Sequence, residues 1–212
     1  MQIAILLYER LTALDAVGPY EVLGRLPGAD VRFVAAEPGP KRTDQGSLAL
    51  IADNSLTDVP EPDVLVVPGG PGEGAARTDE RVLDWVRAAH ATSQWTTSVC
   101  TGSLILAAAG VLDGVCATSH WLALDELERL GAEPVSERVV VDGKIVTAAG
   151  VSSGIDMALT LASMIEGELF AQGIQLGIEY DPQPPFSAGS PETAPPVVVE
   201  FLRSQSRFLL QG

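Results

Sequence analysis

With 28 acidic side chains against 13 basic ones, the 212-residue chain carries a formal net charge of −15 and a pI near 4.3. Such a surface repels phosphate backbones and anionic bilayers, which excludes nucleic acid and membranes as expected partners. Two cysteines and two histidines, with no CxxC, HExxH or EF-hand spacing, give neither a disulfide framework nor a zinc or calcium site, so no metal and no cofactor is expected.

Hydrophobic residues make up 46% of the chain and aromatic ones only 5%, so the core must be aliphatic, as in proteins with buried parallel strands. The opening "MQIAILLYERLTALD" has no basic leader, and its apolar run is too short to span a bilayer; a cytoplasmic protein with reduced thiols is expected. "QIAILLY" reads as a buried first strand, and "LTALDAVGPYEVLGRL" as a short helix opened around Asp15 to Pro19. "DVRFVAAEPG" reads as a second strand and "GSLALIADNSLTDV" as a small excursion with extended segments. "PDVLVVPGGPGEG" is a third core strand running into a glycine-rich loop. "TDERVLDWVRAAHATS" places Val82, Trp85, Val86 and Ala89 on one side of an amphipathic helix.

"WTTSVC" is a fourth strand, followed by the helix "TGSLILAAAGVLDG". Another helix follows in "SHWLALDELERLGA", then a hairpin in "ERVVVDGKIVTAAG" with its turn at Asp142-Gly143. "SSGIDMALTLASMIEGELFAQGIQLGIEY" is one long helix or two, opened by Ser152 or Ser153. A proline-rich tail, "DPQPPFSAGSPETAPP", leads into a last apolar helix, "VVVEFLRSQSRFLL". Strands alternating with helices imply an α/β fold with a mostly parallel sheet covered on both faces. No repeat or change of composition divides the chain, so residues 1–212 are expected to form a single domain.

Chemistry concentrates at three places. Cys100 lies where the β-branched run Thr96–Val99 gives way to a Leu- and Ala-rich helix, the strand–nucleophile–helix layout of an elbow. A thiol there meets the positive end of the helix, which favours the thiolate; the competing reading is a small buried residue at a tight corner. Cys116 has no such context and reads as a buried strand thiol. Asp15, just beyond the first strand, falls on the same crevice side and is either a raised-pKa acid or an ordinary helix N-cap. "GGPGEG" lacks both the GxGxxG spacing and the Lys-Ser/Thr of a P-loop; it either aims free N–H groups into the crevice or is a plain turn. His120 can approach the thiol or sit in the core as a hydrogen-bonded residue.

"DAVGPYEVL", "VLVVPGGPG", "SVCTGSLILAAAGVLDG", "ATSHW" and "YDPQPPFSAGSP" together resemble, in that order, the PfpI/ThiJ superfamily of class I glutamine-amidotransferase-like domains, and within it the isonitrile hydratase branch. The resemblance implies a flavodoxin-like three-layer sandwich with a cysteine nucleophile elbow. It makes Cys100 the nucleophile, Asp15 the acid beside it and Thr101 the assisting residue that follows. Gly69 and Gly70 correspond to the loop whose N–H groups face the reacting centre. His120 falls where some relatives carry a histidine, as a secondary contact to substrate. Ser98 departs from the glycine that true amidotransferases usually carry before the nucleophile.

On that resemblance, the expected activity is addition of water to an isonitrile through a Cys100 thioimidate, in a narrow apolar crevice, by a homodimer acting on a small molecule. Two alternatives stand beside it. One is a ligand-sensing module like that of AraC-type regulators, disfavoured by the acidic pI and by the lack of a basic recognition segment before Gly212. The other is an amidase, protease or glyoxalase of the same superfamily, since the fold alone does not choose among them.

Overall fold

The computed structural model of the chain describes residues 1–206. In chain order its elements are β1 (Gln2–Leu6), α1 (Ala13–Leu23), β2 (Asp30–Ala35), β3 (Gly39–Arg42), β4 (Ala49–Ala52), β5 (Asn54–Ser55) and β6 (Val64–Val67). There follow α2 (Glu73–Ala76), α3 (Glu80–Thr92), β7 (Trp95–Val99), α4 (Gly102–Ala108), β8 (Cys116–Ala117), α5 (Leu124–Arg129), β9 (Glu133–Pro134), β10 (Val139–Asp142) and β11 (Ile145–Ala148). The chain ends in α6 (Ser153–Glu166), α7 (Glu168–Gly177) and α8 (Pro196–Ser204).

Seven strands form one sheet in the order β10-β11-β7-β6-β1-β2-β5, parallel throughout except for β10 against β11. Ile3 of β1 pairs with Val31 on one side and Val64 on the other, and Val64 to Val67 are buried on both faces. A continuous apolar run can sit there because helices cover both sides. The step from β1 to β2 and the step from β6 to β7 run in opposite directions across the sheet. Right-handed crossovers therefore put α1 on one face and α3 and α4 on the other, giving the flavodoxin-like three-layer sandwich. That reversal beside β1 opens a crevice at the carboxyl ends of the strands, where ligands of such sheets bind.

Several sequence expectations shift. The first helix begins at Ala13 and runs through Pro19. Its face is small where α6 crosses it: a Cβ on Gly18 would lie 3.1 Å from Ile155. The hairpin turn falls at Gly143 and Lys144, one residue later than expected, because Asp142 already pairs with Ile145 and Gly143 takes the positive φ of 58°. The long helical stretch is two helices, broken at Gly167 with φ 91°. The excursion after β2 contains the two-stranded β3/β4 ribbon. Cys116 is half-buried in the short β8/β9 pair, where its thiol donates to Glu133 at 3.6 Å, so it is not a core thiol. The last helix is described as α8; residues 207–210 of the expected span lie outside the described residues.

Candidate active site

The ends of four neighbouring strands converge on one point. Asp15 follows β1, Gly69 and Gly70 follow β6, Cys100 follows β7 and Val151 follows β11. Asp15 lies in the first turn of α1, yet the N-cap position belongs to Thr12, so the carboxyl group caps nothing. It is 0% exposed and turned inward, where Oδ2 accepts the Gly69 N–H at 3.0 Å and the group interacts with the Cys100 thiol. Among the described residues Oδ1 has no conventional hydrogen-bond partner. The Thr12 N–H donates back to the Gly69 carbonyl at 2.9 Å, which locks the glycine loop to the start of α1.

Cys100 is the elbow. Its φ is 57°, the left-handed region that costs a non-glycine residue about 1–2 kcal/mol. Four hydrogen bonds hold it there. Its N–H is shared between the carbonyls of Ala148 (3.0 Å) and Ala149 (2.9 Å), and its carbonyl accepts from Ser103 Oγ (3.2 Å) and Ser119 Oγ (3.1 Å). Strain fixed this firmly marks positions where side-chain direction matters. The sulfur is reached by the backbone N–H groups of Thr101 and Val151.

Thr101 and the two glycines form the scaffold around this pair. Gly70 N–H donates to Thr101 Oγ1 at 3.0 Å, as Gly69 N–H does to Asp15. Both loop N–H groups thus face the centre but are taken by protein acceptors, and the donors at the sulfur come from Thr101 and Val151. The fit is close: a Cβ on Gly69 would stand 2.5 Å from Thr101 N, and one on Gly70 2.4 Å from Thr12 N.

His120 does not join the pair. Among the described residues no hydrogen bond links it to Cys100. Its Nδ1 accepts the Leu122 N–H at 3.3 Å, and its ring lies against Gly150, where a Cβ would come within 3.0 Å of Cδ2. Burial holds its pKa below the usual imidazole range. It lines a cleft of about 390 Å³ together with Thr118, Arg138, Val151 and the tail segment 189–192. The crevice expected to be apolar is therefore mixed, with Leu124 and Trp121 beside serines, glutamates and an arginine.

A profile of the DJ-1/PfpI family matches residues 1–164. The chain belongs to the DJ-1/PfpI family. It is 46% identical over 206 residues to the isonitrile hydratase of Pseudomonas putida, covering 97% of this chain and 90% of that protein. The crystal structure of a ThiJ/PfpI family protein from Pseudomonas syringae superposes with a TM-score of 0.94 at 41% identity, covering 96% of this chain and 85% of the other. The HTH-type transcriptional regulator CdhR of Pseudomonas aeruginosa is 29% identical over 174 residues, 80% of this chain but 49% of the regulator.

In this DJ-1/PfpI site the electrostatics correct the expected acidified thiol. Burial lifts Asp15 to about 7, with the hydrogen bonds from Gly69 and Cys100 opposing and the Asp44 charge adding. Burial and the Asp15 carboxylate push the Cys100 thiol up to about 12, against the N–H bonds of Thr101 and Val151. The helix start near the sulfur is outweighed because α4 is short and the thiol is only 6% exposed. The two groups titrate as a pair. Once one proton is lost, near pH 7, the pair is chiefly thiol–carboxylate, with thiolate–carboxylic acid as its minor form. Iodoacetamide alkylation of Cys100, measured in a Cys116→Ser background, should rise with pH through about 7 as the minor thiolate form appears, level at a low rate, and rise again only as the pH approaches the thiol's own ionisation near 12. A rate that rises only beyond ~8.5, as for a solitary thiol, sinks the pairing.

Proposed function

We propose that this protein adds water to an isonitrile, R–N≡C, and releases the N-substituted formamide. The observation that carries the reading is a buried carboxyl, holding its proton to about pH 7, set against a buried elbow thiol. The 46% identity with the P. putida isonitrile hydratase, across an alignment covering 97% of the chain, supports the same chemistry. An isonitrile carbon takes up both a nucleophile and a proton, so the site needs both within reach of one atom. Asp15 accepts the Cys100 proton, the thiolate attacks the carbon, and Asp15 returns that proton to the same carbon, leaving the thioimidate R–N=CH–S. The N–H groups of Thr101 and Val151 stabilise the sulfur charge before attack.

Water then adds to the thioimidate carbon while the Asp15 carboxylate takes one of its protons and passes it to nitrogen. The carbon–sulfur bond breaks, the hydroxyl proton returns to Cys100, and R–NH–CHO leaves. His120 has no step in this sequence. The test is loss of n-hexyl isonitrile with matching gain of N-hexylformamide. Wild-type protein should convert it, and Cys100→Ala should lose turnover by at least ~10²-fold. Consumption of methylglyoxal in place of the isonitrile favours the glyoxalase alternative. Binding without turnover favours the sensing role that the CdhR similarity supports.

The same reading includes a homodimer. Leu169 and Leu176 on α7 and Val197 and Phe201 on α8 are 84%, 78%, 71% and 63% exposed, apolar side chains that a second copy would cover. Light scattering at micromolar concentration should give twice the 22.2 kDa chain mass, and a monomer rejects pairing.

A further inference from the structure

The cleft adjoins the Cys100 elbow, although Cys100 itself does not line it. Three of the residues that line it touch the elbow: Val151 through its N–H at the sulfur, Ala149 through its carbonyl at the Cys100 N–H, and Ser119 through its hydroxyl at the Cys100 carbonyl. That adjacency makes the cleft the place to look for the side group of a substrate whose carbon reaches Cys100. What the cleft offers is then a matter of which polar atoms are already engaged.

Most are engaged. Ser119 Oγ is held by Cys100, and Arg138 is ion-paired to Asp156 with a further hydrogen bond to Ser152 Oγ at 3.3 Å. Two are not. Thr118 is 0% exposed, and among the described residues its Oγ1 has no hydrogen-bond partner. A buried hydroxyl left unpaired is destabilising, so a ligand atom that bonds to it relieves that penalty. His120 is the second. Because Nδ1 accepts from Leu122, the ring proton sits on Nε2, which has no partner among the described residues and can only donate. The charge of the cleft is set by Glu137 and Glu192, since the arginine is spent on Asp156. That disfavours an anionic side group.

Resting on the isonitrile reading, we propose that Thr118 and His120 form a polar subsite that selects isonitriles whose side group carries an uncharged oxygen function, such as an ester, over hydrocarbon or carboxylate ones. One ester oxygen would accept from His120 Nε2 and the other from the Thr118 hydroxyl. One satisfied neutral hydrogen bond corresponds to about tenfold in affinity.

The test separates binding from turnover. Competitive binding to Cys100→Ala protein is measured for ethyl isocyanoacetate, for n-hexyl isonitrile with the same number of heavy atoms, and for isocyanoacetate anion. The ester should bind about tenfold more tightly than the hexyl compound, with the anion weakest, and Thr118→Val or His120→Phe in the same background should bring the ester-to-hexyl ratio towards one. Equal binding of ester and hexyl compounds, a preference for the anion, or a ratio unmoved in both variants overturns the subsite. Turnover by wild-type protein is read separately. Failure to convert either isonitrile removes the hydratase reading, while the binding ratio still decides the subsite. Melting curves of both variants show that a lost ratio is not a lost fold.

Discussion

Asp15→Asn should cut isonitrile turnover by at least ~10²-fold while raising the melting temperature at pH 8. The two effects have one cause. Asparagine keeps an oxygen for the Gly69 N–H, so the loop stays tied, but it cannot take the Cys100 proton and return it to carbon. Stability moves the other way because the native carboxyl holds its proton to about pH 7 and the unfolded one only to about 3.9. Between those limits the folded state binds more protons, so stability falls as pH rises through the window, by up to about 4 kcal/mol. The asparagine variant escapes that loss. For a chain of this length each kcal/mol is worth about 2–4 °C, so a gain on the order of 5 °C or more at pH 8 should shrink towards zero near pH 4. An ordinary helix cap would give the opposite result, no loss of turnover and no gain in stability. A variant that is inactive yet less stable at pH 8 than wild type sinks the buried-acid assignment.

That pair was half legible in the sequence. The corner at Cys100 shows itself because the β-branched Thr96–Val99 cannot continue as the helix that Gly102–Ala108 favours, and Asp15 follows the first apolar run directly. Both are local signals. Val151 is different: its N–H reaches the sulfur only because β11 pairs with β7 from nearly fifty residues away, and nothing in "AAGVSSG" announces that partner. Burial was also hidden. Reading a helix start at Cys100 predicts a lowered thiol pKa, whereas Cys100 is buried in a cluster with Met157 of α6 and Val146 and Ala148 of β11, and desolvation outweighs the dipole. The glycine loop shows the same limit. Its flexibility is visible in "PGGPG", but the acceptors that claim Gly69 and Gly70 belong to other elements.

Gly102→Ala should destabilise the fold by about 3 kcal/mol and abolish the rise of Cys100 alkylation near pH 7, although helix propensity alone predicts a gain of up to about 1 kcal/mol. Gly102 is the first residue of α4 and has no positive φ, so nothing in its backbone demands glycine. What demands it is proximity. A Cβ there would lie 2.0 Å from the Val67 carbonyl oxygen and 2.8 Å from its carbon, with Pro68 carbon at 2.9 Å, all of them backbone atoms of the β6 end. No rotamer relieves such a contact, so the start of α4 must move off the sheet. Thr101 and Cys100 move with it, which breaks the Gly70–Thr101 bond and draws the thiol away from Asp15. The steric term therefore wins over propensity by several-fold. Chemical denaturation of the alanine variant, read beside the pH profile of its alkylation, decides the matter: a stability within ~1 kcal/mol of wild type with the rise near pH 7 retained shows that the elbow tolerates a side chain and that its closeness to β6 is not what positions the thiol.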